Sequence, residues 1–265
     1  MMSSKFHQIL SYIKHYFVAH RRGHGVHSPF AYQLCEEVFY NKHPFYAFEQ
    51  LEKLREQLLQ DESLIYMEDY GTGSQVFKAK QRKVKDIAIH GISTKLQSEL
   101  LFRLMNFMHS EKALELGTSL GLNTLYMAMS NSNTKVISID ACEDLVEHAK
   151  AMAHKQKVDH IQFIHAKFDE ALPQLISQSS KIDFVYIDGN HSYAASMQYF
   201  DSLLEIVQNN TVLVFDDIYW SKDMTKAWEE IKAHPKVKLS IDTFYSGFIF
   251  FKEEIKEKLH YQFFL

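Results

Sequence analysis

Carboxylates stand at the ends of successive apolar runs in this chain. Glu115 lies in ALEL, Asp140 closes VISID, Asp169 follows IQFIHA, Asp188 closes FVYID, and Asp216-Asp217 close TVLVFDD. His191 comes three residues after Asp188, in DGNHSY. A lone acid in a loop is normally just solvated. Acids at the ends of consecutive strands share one edge of a sheet and can act together. Asp188, Asp216 and Asp217 would repel one another there unless a hard divalent cation such as Mg²⁺ sat among them. The other outcome is that one acid turns outward and another caps the next helix. A histidine facing the same place could take a proton from a substrate hydroxyl. The chain has 15 histidines, so position and not residue type singles out His191. The alternative for it is an exposed place in the first turn of a helix.

A second chemical signal precedes these acids. In ELGTSLGLNTLYMAM, an apolar run leads into the turn Gly117-Thr118-Ser119-Leu120-Gly121, and Leu122, Leu125, Tyr126 and Met129 then recur at helical spacing. This reads as strand, tight turn, helix. Glycine lets a backbone approach a ligand closely, and a helix N-terminus adds unpaired N–H groups, so the turn is a candidate cofactor cradle. Its spacing is E-x-G-x-x-x-G, not the G-x-G-x-x-G dinucleotide pattern. Asp140, about 20 residues further on, is placed to accept hydrogen bonds from two ribose hydroxyls. Otherwise it is a solvated acid or the cap of the next helix. The same five residues also spell G-x-S-x-G, the nucleophile elbow of serine hydrolases. That fold needs several strands before the elbow, whereas residues 1–112 read as mostly helical, and no HGGG segment accompanies it.

The elements that must position these groups alternate regularly. Strands at 113–116, 136–140, 161–166, 184–189 and 211–217 each lead to a helix, at 122–130, 143–155, 169–177, 192–208 and 222–233. This alternation predicts a parallel sheet with helices on both faces, whose ligands bind beyond the strand carboxyl ends. VKLSIDTF and SGFIFFK, separated by a turn at Tyr245-Ser246-Gly247, predict a hairpin with one antiparallel strand. Upstream, residues 5–20 read as an amphipathic helix capped by Ser3 or Ser4, with Phe6, Ile9, Leu10, Ile13 and Phe17 on one side. Ser28-Pro29 starts a helix to about Tyr40, and another spans 45–60. This helical part is a lid or a dimer surface, or it merely packs. The glycines of LIYMEDYGTGS are read as a connecting loop, because KAKQRKVKDIAIH brings neither an apolar helix nor an acidic strand end. The basic run Lys78–Lys85 reads as a solvated face in preference to a phosphate contact. Residues 94–108 form a helix capped by Thr94. The division expected is 1–90, a helical extension, and 91–265, the α/β domain.

With 265 residues, 46% of them hydrophobic, the chain can bury one large core. A net charge of −4 argues against a broad nucleic-acid footprint. Two cysteines, Cys35 and Cys142, lack metal-ligand spacing and suggest no disulfide framework, which makes a reducing cytoplasm the default. The N-terminus lacks the unbroken apolar stretch of a signal peptide or membrane span, so no membrane partner is expected.

ELGTSLG, VISID, FVYIDGNHSY and VLVFDDIYW, in that order, resemble class I S-adenosylmethionine-dependent methyltransferases. The resemblance is to the metal-dependent O-methyltransferases, including catechol-type enzymes and the branch whose fourth strand ends in D-G-x-H-x-Y. It covers about 94–252. It implies a Rossmann-like, doubly wound, seven-stranded α/β sheet, mostly parallel with an antiparallel C-terminal hairpin strand. It further implies that Glu115 and the turn residues Gly117, Thr118, Ser119 and Gly121 hold the methionine part of S-adenosylmethionine. Asn123 falls where a hydroxyl residue often meets the carboxylate. Asp140 would bind ribose and Ala141 border the adenine, which Phe168 and Asp169 also meet. Asp188 adjoins the cofactor and, with Asp216 and Asp217, forms the Mg²⁺ triad, although catechol-type enzymes carry Asn at the Asp217 place. His191 stands where those enzymes have a catalytic lysine. The activity implied is metal-assisted O-methylation of a small hydroxyl-bearing molecule with His191 as base. Tyr193, Tyr219 and Trp220 are either pocket wall or ordinary packing. Methylation of RNA or protein, a non-catalytic cofactor-binding module, and a homodimer through the N-terminal helices stay as alternatives and additions.

Overall fold

Caps, glycine turns and apolar spacing set the elements in the computed structural model, which describes residues 2–67, 81–178 and 181–265. In chain order the helices are α1 (Met2–Val18), α2 (Pro29–Leu34), α3 (Phe48–Leu58), α4 (Val84–Gly91), α5 (Lys95–Met108), α6 (Leu122–Ala128), α7 (Glu143–Lys155), α8 (Phe168–Gln178), α9 (Tyr193–Leu203) and α10 (Lys222–Ala233). The strands are β1 (Leu64–Tyr66), β2 (Gln81–Lys83), β3 (Lys112–Leu116), β4 (Lys135–Asp140), β5 (Ile161–His165), β6 (Phe184–Ile187), β7 (Val212–Asp216), β8 (Leu239–Asp242), β9 (Ser246–Phe250) and β10 (Leu259–Gln262). The chain divides into two compact units, residues 42–171 and residues 1–41 with 172–265.

In the unit 42–171, β3 pairs in parallel with β4, and β4 with β5. The register sets Glu115 beside Ser138. Thr94 begins α5 with a capping box, its side chain and that of Gln97 each satisfying the other's backbone N–H. Phe102 of this helix packs its ring 4.9 Å from Phe45 and 5.0 Å from Phe48. Two stretches correct the sequence reading. VKDIAIHG is the helix α4, whose Val84, Ile87 and Ala88 are buried at helical spacing. The short strands β1 and β2 pair antiparallel just before it. The glycines of LIYMEDYGTGS, and Lys78 to Lys80 of the basic run, lie outside the described residues. Lys83 and Lys85 of that run both pair with Glu62, as a solvated face would.

In the other unit β6 and β7 run parallel, β9 is antiparallel to both β7 and β8, and β10 joins β8 in parallel. The hairpin is thus as expected. Strand β10 is not: β3 to β10 are eight strands, one more than expected. The extra strand is tied in by α1 and the residues after it. The backbone N–H of His20 donates to the Gln262 carbonyl at 2.6 Å, and the Tyr40 hydroxyl donates to the carbonyls of His20 and Phe264. Ser28 caps α2, accepting from the Ala31 N–H, and the helix runs on as a π-helical turn, Cys35–Phe39. The helix α1 already begins at Met2, so Ser4 lies inside its first turn and is no cap; its hydroxyl donates to the Trp220 carbonyl at 2.7 Å.

Trp228 of α10 is fully buried against β9. A Cβ added at Gly247 would lie 2.6 Å from its ring. Only a residue without a side chain fits there. Gly247→Ala is expected to destabilise the fold by about 1–3 kcal/mol through overpacking. Urea unfolding followed by Trp fluorescence measures this; an unchanged midpoint would show that the ring can retreat.

Candidate active site

The glycine turn after β3 is built from strained backbone. Gly117 has φ 110°, Ser119 φ 48° and Gly121 φ 79°, all in the left-handed region. Gly121 is required twice over, since a Cβ there would also lie 2.7 Å from the Ala149 Cβ. Ser119 has a Cβ, and holding it in this conformation costs on the order of 1 kcal/mol. Asp140 secures it: its Oδ2 accepts the Ser119 N–H at 3.0 Å, and its Oδ1 accepts the Cys142 N–H at 2.9 Å. The acid closing β4 therefore clamps the turn to the sheet edge. Burial raises the Asp140 carboxyl above its ordinary pKa, although those backbone N–H groups pull the other way.

Glu115 forms the floor. Its side chain is fully buried. Oε2 accepts from the hydroxyls of Thr124 and Ser138, the latter at 2.5 Å. Ser138 has one proton and gives it to Glu115, so Thr118 must be the donor in the 2.6 Å bond between the Thr118 and Ser138 hydroxyls. The other oxygen, Oε1, is buried with no hydrogen-bond partner. Burial pushes the Glu115 carboxyl up to about 8. An orphaned buried oxygen is costly and suits a ligand that brings a donor, above all a cationic one.

Asn123 is held from α5 and the loop before it. Ser98 Oγ donates to its Oδ1 and its Nδ2 donates to Ser93 Oγ, both at 2.7 Å. Arg55 backs both serines, reaching Ser98 Oγ at 2.9 Å and the Ser93 carbonyl at 2.5 Å. Ala141 is half-buried, and its carbonyl accepts from His165 Nε2 at 3.0 Å. Phe168 is half-buried and Asp169 exposed, both in the first turn of α8.

In the other unit, the ends of β6 and β7 carry the second group. Asp216 is buried, with Oδ2 accepting from the Tyr186 hydroxyl at 2.9 Å and Oδ1 from Ser246 at 2.6 Å. Asp188 Oδ2 lies 3.2 Å from the same phenol, so one proton serves two carboxylates. His191 Nε2 stands 3.6 Å from Asp188 Oδ1 and 4.0 Å from Asp217 Oδ2. Asn190 and Asp217, at φ 49° and 55°, are left-handed without being glycine. Burial, aided by the Asp216 charge, pushes Asp217 up to about 7. Burial also holds His191 below the ordinary histidine value. Among the described residues no three His, Cys, Asp or Glu side chains are gathered to hold a metal ion. The acids meet His191 and hydroxyls instead.

Tyr193, Tyr219 and Trp220 are engaged in packing and surface contacts. Tyr193 donates to Glu230 at 2.6 Å under the Lys226 ammonium. Tyr219 donates to the buried Asp242 at 2.6 Å and stacks on Phe244. Trp220 is exposed, and its carbonyl receives Ser4 and Gln8. Sequence reasoning missed the hydroxyls that serve the acids: Thr124, Ser138, Tyr186 and Ser246. A polar residue inside an apolar run, as Ser138 is in VISID, was the available signal.

Residues 114–218 match a family model described as a methyltransferase domain. This stretch is a methyltransferase domain. Every predicted site residue falls inside it. A protein of Arabidopsis thaliana named for caffeoyl-CoA O-methyltransferase is 26% identical over 126 residues, 47% of this chain and 53% of that protein. One of Dictyostelium discoideum, named likewise, is 30% identical over 127 residues, 46% of this chain and 49% of that protein. The chain thus spans about half the length of the curated relatives it matches. Among solved structures, an O-methyltransferase from Bacillus cereus in complex with S-adenosylhomocysteine superposes with a TM-score of 0.55 at 18% identity. It covers 78% of this chain and 90% of that one. The chain therefore has the α/β Rossmann-like fold, mostly parallel with the antiparallel strand β9, as the resemblance to class I methyltransferases implies.

The Glu115 carboxyl binds its proton more tightly in the folded than in the unfolded chain. The stabilisation this gives is complete below about pH 4.5 and is lost as pH rises towards 8. Melting temperature should fall over that window, and Glu115→Gln should flatten the fall. Parallel curves for the two proteins would contradict the raised pKa.

Proposed function

We propose that this protein transfers the methyl group of S-adenosylmethionine to a hydroxyl oxygen of a small molecule. The observation that carries the reading is the Gly117–Gly121 turn, clamped by Asp140 and floored by the orphaned Glu115 oxygen. The names of the Arabidopsis and Dictyostelium relatives support oxygen as the acceptor atom. The domain division that goes with the proposal is a helical extension, 1–90, on a methyltransferase domain, 91–265. A reducing, cytoplasmic setting goes with the proposal, with Cys35 and Cys142 as buried thiols.

The cofactor would rest on the turn, where glycine backbone permits close approach. Glu115 Oε1 would accept from its cationic amino-acid part, and Asp140 would use its remaining lone pairs for the ribose hydroxyls. Asn123, fixed by Ser98 and Ser93, would orient the carboxylate end. Ala141, Phe168 and Asp169 would border the adenine. His191 would take the proton from the acceptor hydroxyl, and its lowered pKa keeps it neutral and ready to do so near pH 7. Bound S-adenosylmethionine would supply the electrophilic methyl group for that oxygen, with its sulfonium sulfur as the leaving group.

The donor set of Asp188, Asp216 and Asp217 fits a hard divalent ion in chemistry. Burial, with the Asp216 charge beside it, holds the Asp217 carboxyl above its ordinary range, and a cation there would relieve that cost. Those three residues would hold Mg²⁺, which would supply Lewis-acid lowering of the acceptor hydroxyl's pKa.

RNA methylation is the second reading. A Clostridium tetani RNA methyltransferase is 29% identical over 68 residues, only 15% of that protein. The pairing of Lys83 and Lys85 with Glu62 weighs against a free phosphate-binding run.

Methyl transfer from labelled S-adenosylmethionine to a panel of phenols and catechols tests the proposal. Turnover is expected, lost on chelation and restored by Mg²⁺, with His191→Ala slower by about 10²–10⁴-fold. Transfer to RNA alone, or turnover indifferent to His191→Ala, would contradict it.

A further inference from the structure

The helix α1 is docked on its polar side. Ser4 and Gln8 donate to the Trp220 carbonyl, and His7 pairs with the Thr225 hydroxyl at 2.9 Å. His15 is 2% exposed; its Nε2 donates to the Phe263 carbonyl at 3.0 Å, and its Nδ1 lies 3.4 Å from the fully buried Asp242. The apolar face points outward, against the reading that this helix merely packs. Phe6 is 63% exposed and Phe17 79%, and Ile9, Leu10, Ile13 and Val18 are exposed with them. On the shoulder, Tyr12 and Tyr16 pack against Phe244 and Phe264 and keep part of their surface open. A contiguous apolar stripe along a whole helix marks a surface that something covers.

Charge identifies the occupant. Residues 1–35 contain Lys5, Lys14, Arg21 and Arg22 and no Asp or Glu, in a chain whose net charge is −4. At about 100° per residue, Lys5 and Lys14 fall roughly 90° to either side of the apolar stripe. From there their alkyl stems can run along apolar neighbours while the ammonium groups reach outward. We propose that α1 is an interfacial helix that seats this protein on an anionic lipid surface. An apolar stripe bracketed by lysines, followed at once by two arginines, is the pattern of a helix lying in the plane of the headgroups. A second copy meeting this face by a two-fold axis would bring the same cations against one another, whereas anionic headgroups supply the opposite charge. The mode is lying on the bilayer, since no described helix is long and apolar enough to cross it.

Flotation of the full chain with vesicles tests this. Partition onto phosphatidylcholine mixed with phosphatidylglycerol should exceed that onto phosphatidylcholine alone by about tenfold or more, and fall as salt is raised. The double substitutions Phe6→Ser with Phe17→Ser, and Lys5→Glu with Lys14→Glu, alter exposed side chains. Each should cut binding about tenfold or more with the melting temperature unchanged. Equal partition onto both vesicles, or binding indifferent to both double variants, would overturn the proposal. So would a lipid-free dimer in sedimentation velocity that Phe6→Ser with Phe17→Ser dissolves, which would make a second copy the occupant.

Discussion

A carboxyl group buried inside a parallel sheet is the constraint on which the cofactor side of this domain depends. Taking Glu115 out of water is expensive, and the chain meets that cost with hydroxyls. Thr124 and Ser138 donate to one oxygen, and Thr118 donates to Ser138 in turn. These partners sit on the first helix after the turn, on the neighbouring strand and in the turn itself. The register of β3 on β4, the start of α6 and the path of the turn are therefore fixed by one acid. The second oxygen is left without a partner. A site built to end in one unsatisfied buried acceptor is completed by a ligand that brings a donor.

The other unit repeats the device with different residues. Asp216 is buried at the end of β7 and is met by the Tyr186 and Ser246 hydroxyls. In both units the acids stand beside non-glycine residues held in the left-handed region: Ser119, Asn190 and Asp217. Such strain persists only where surrounding bonds over-determine it, and it gathers where backbone must be aimed at a ligand. The clamp of Asp140 on the Ser119 N–H shows how it is maintained.

Much of this was legible because the signals are local. The bounds 143–155 and 222–233 follow from apolar period and flanking residues, and the structure has α7 and α10 at those bounds. Thr94 and Ser28-Pro29 announce their helices by capping chemistry that acts within three residues. What escaped depends on distant partners. The strand β10 exists through pairing with β8, about 20 residues away along the chain, and no turn signal marks it. The helix α4 was hidden by the charged lead-in to a short apolar spacing. Ser246 reaches Asp216 because β9 lies antiparallel to β7, a fact about pairing rather than composition. The periodicity of α1 located an apolar face correctly but carries no information on which way that face turns. His15 and Asp242, 227 positions apart, decide it.

The most direct test of the account is a calorimetric titration of S-adenosylhomocysteine into the wild-type chain and into Asp140→Asn, with both confirmed folded by circular dichroism. Saturable one-site binding to the wild type, weakened at least tenfold in the variant, is the predicted result, since the ribose hydroxyls lose an ionised acceptor. Undiminished binding to Asp140→Asn, or none to the wild type, would contradict the claim that the turn after β3 holds the methyl donor.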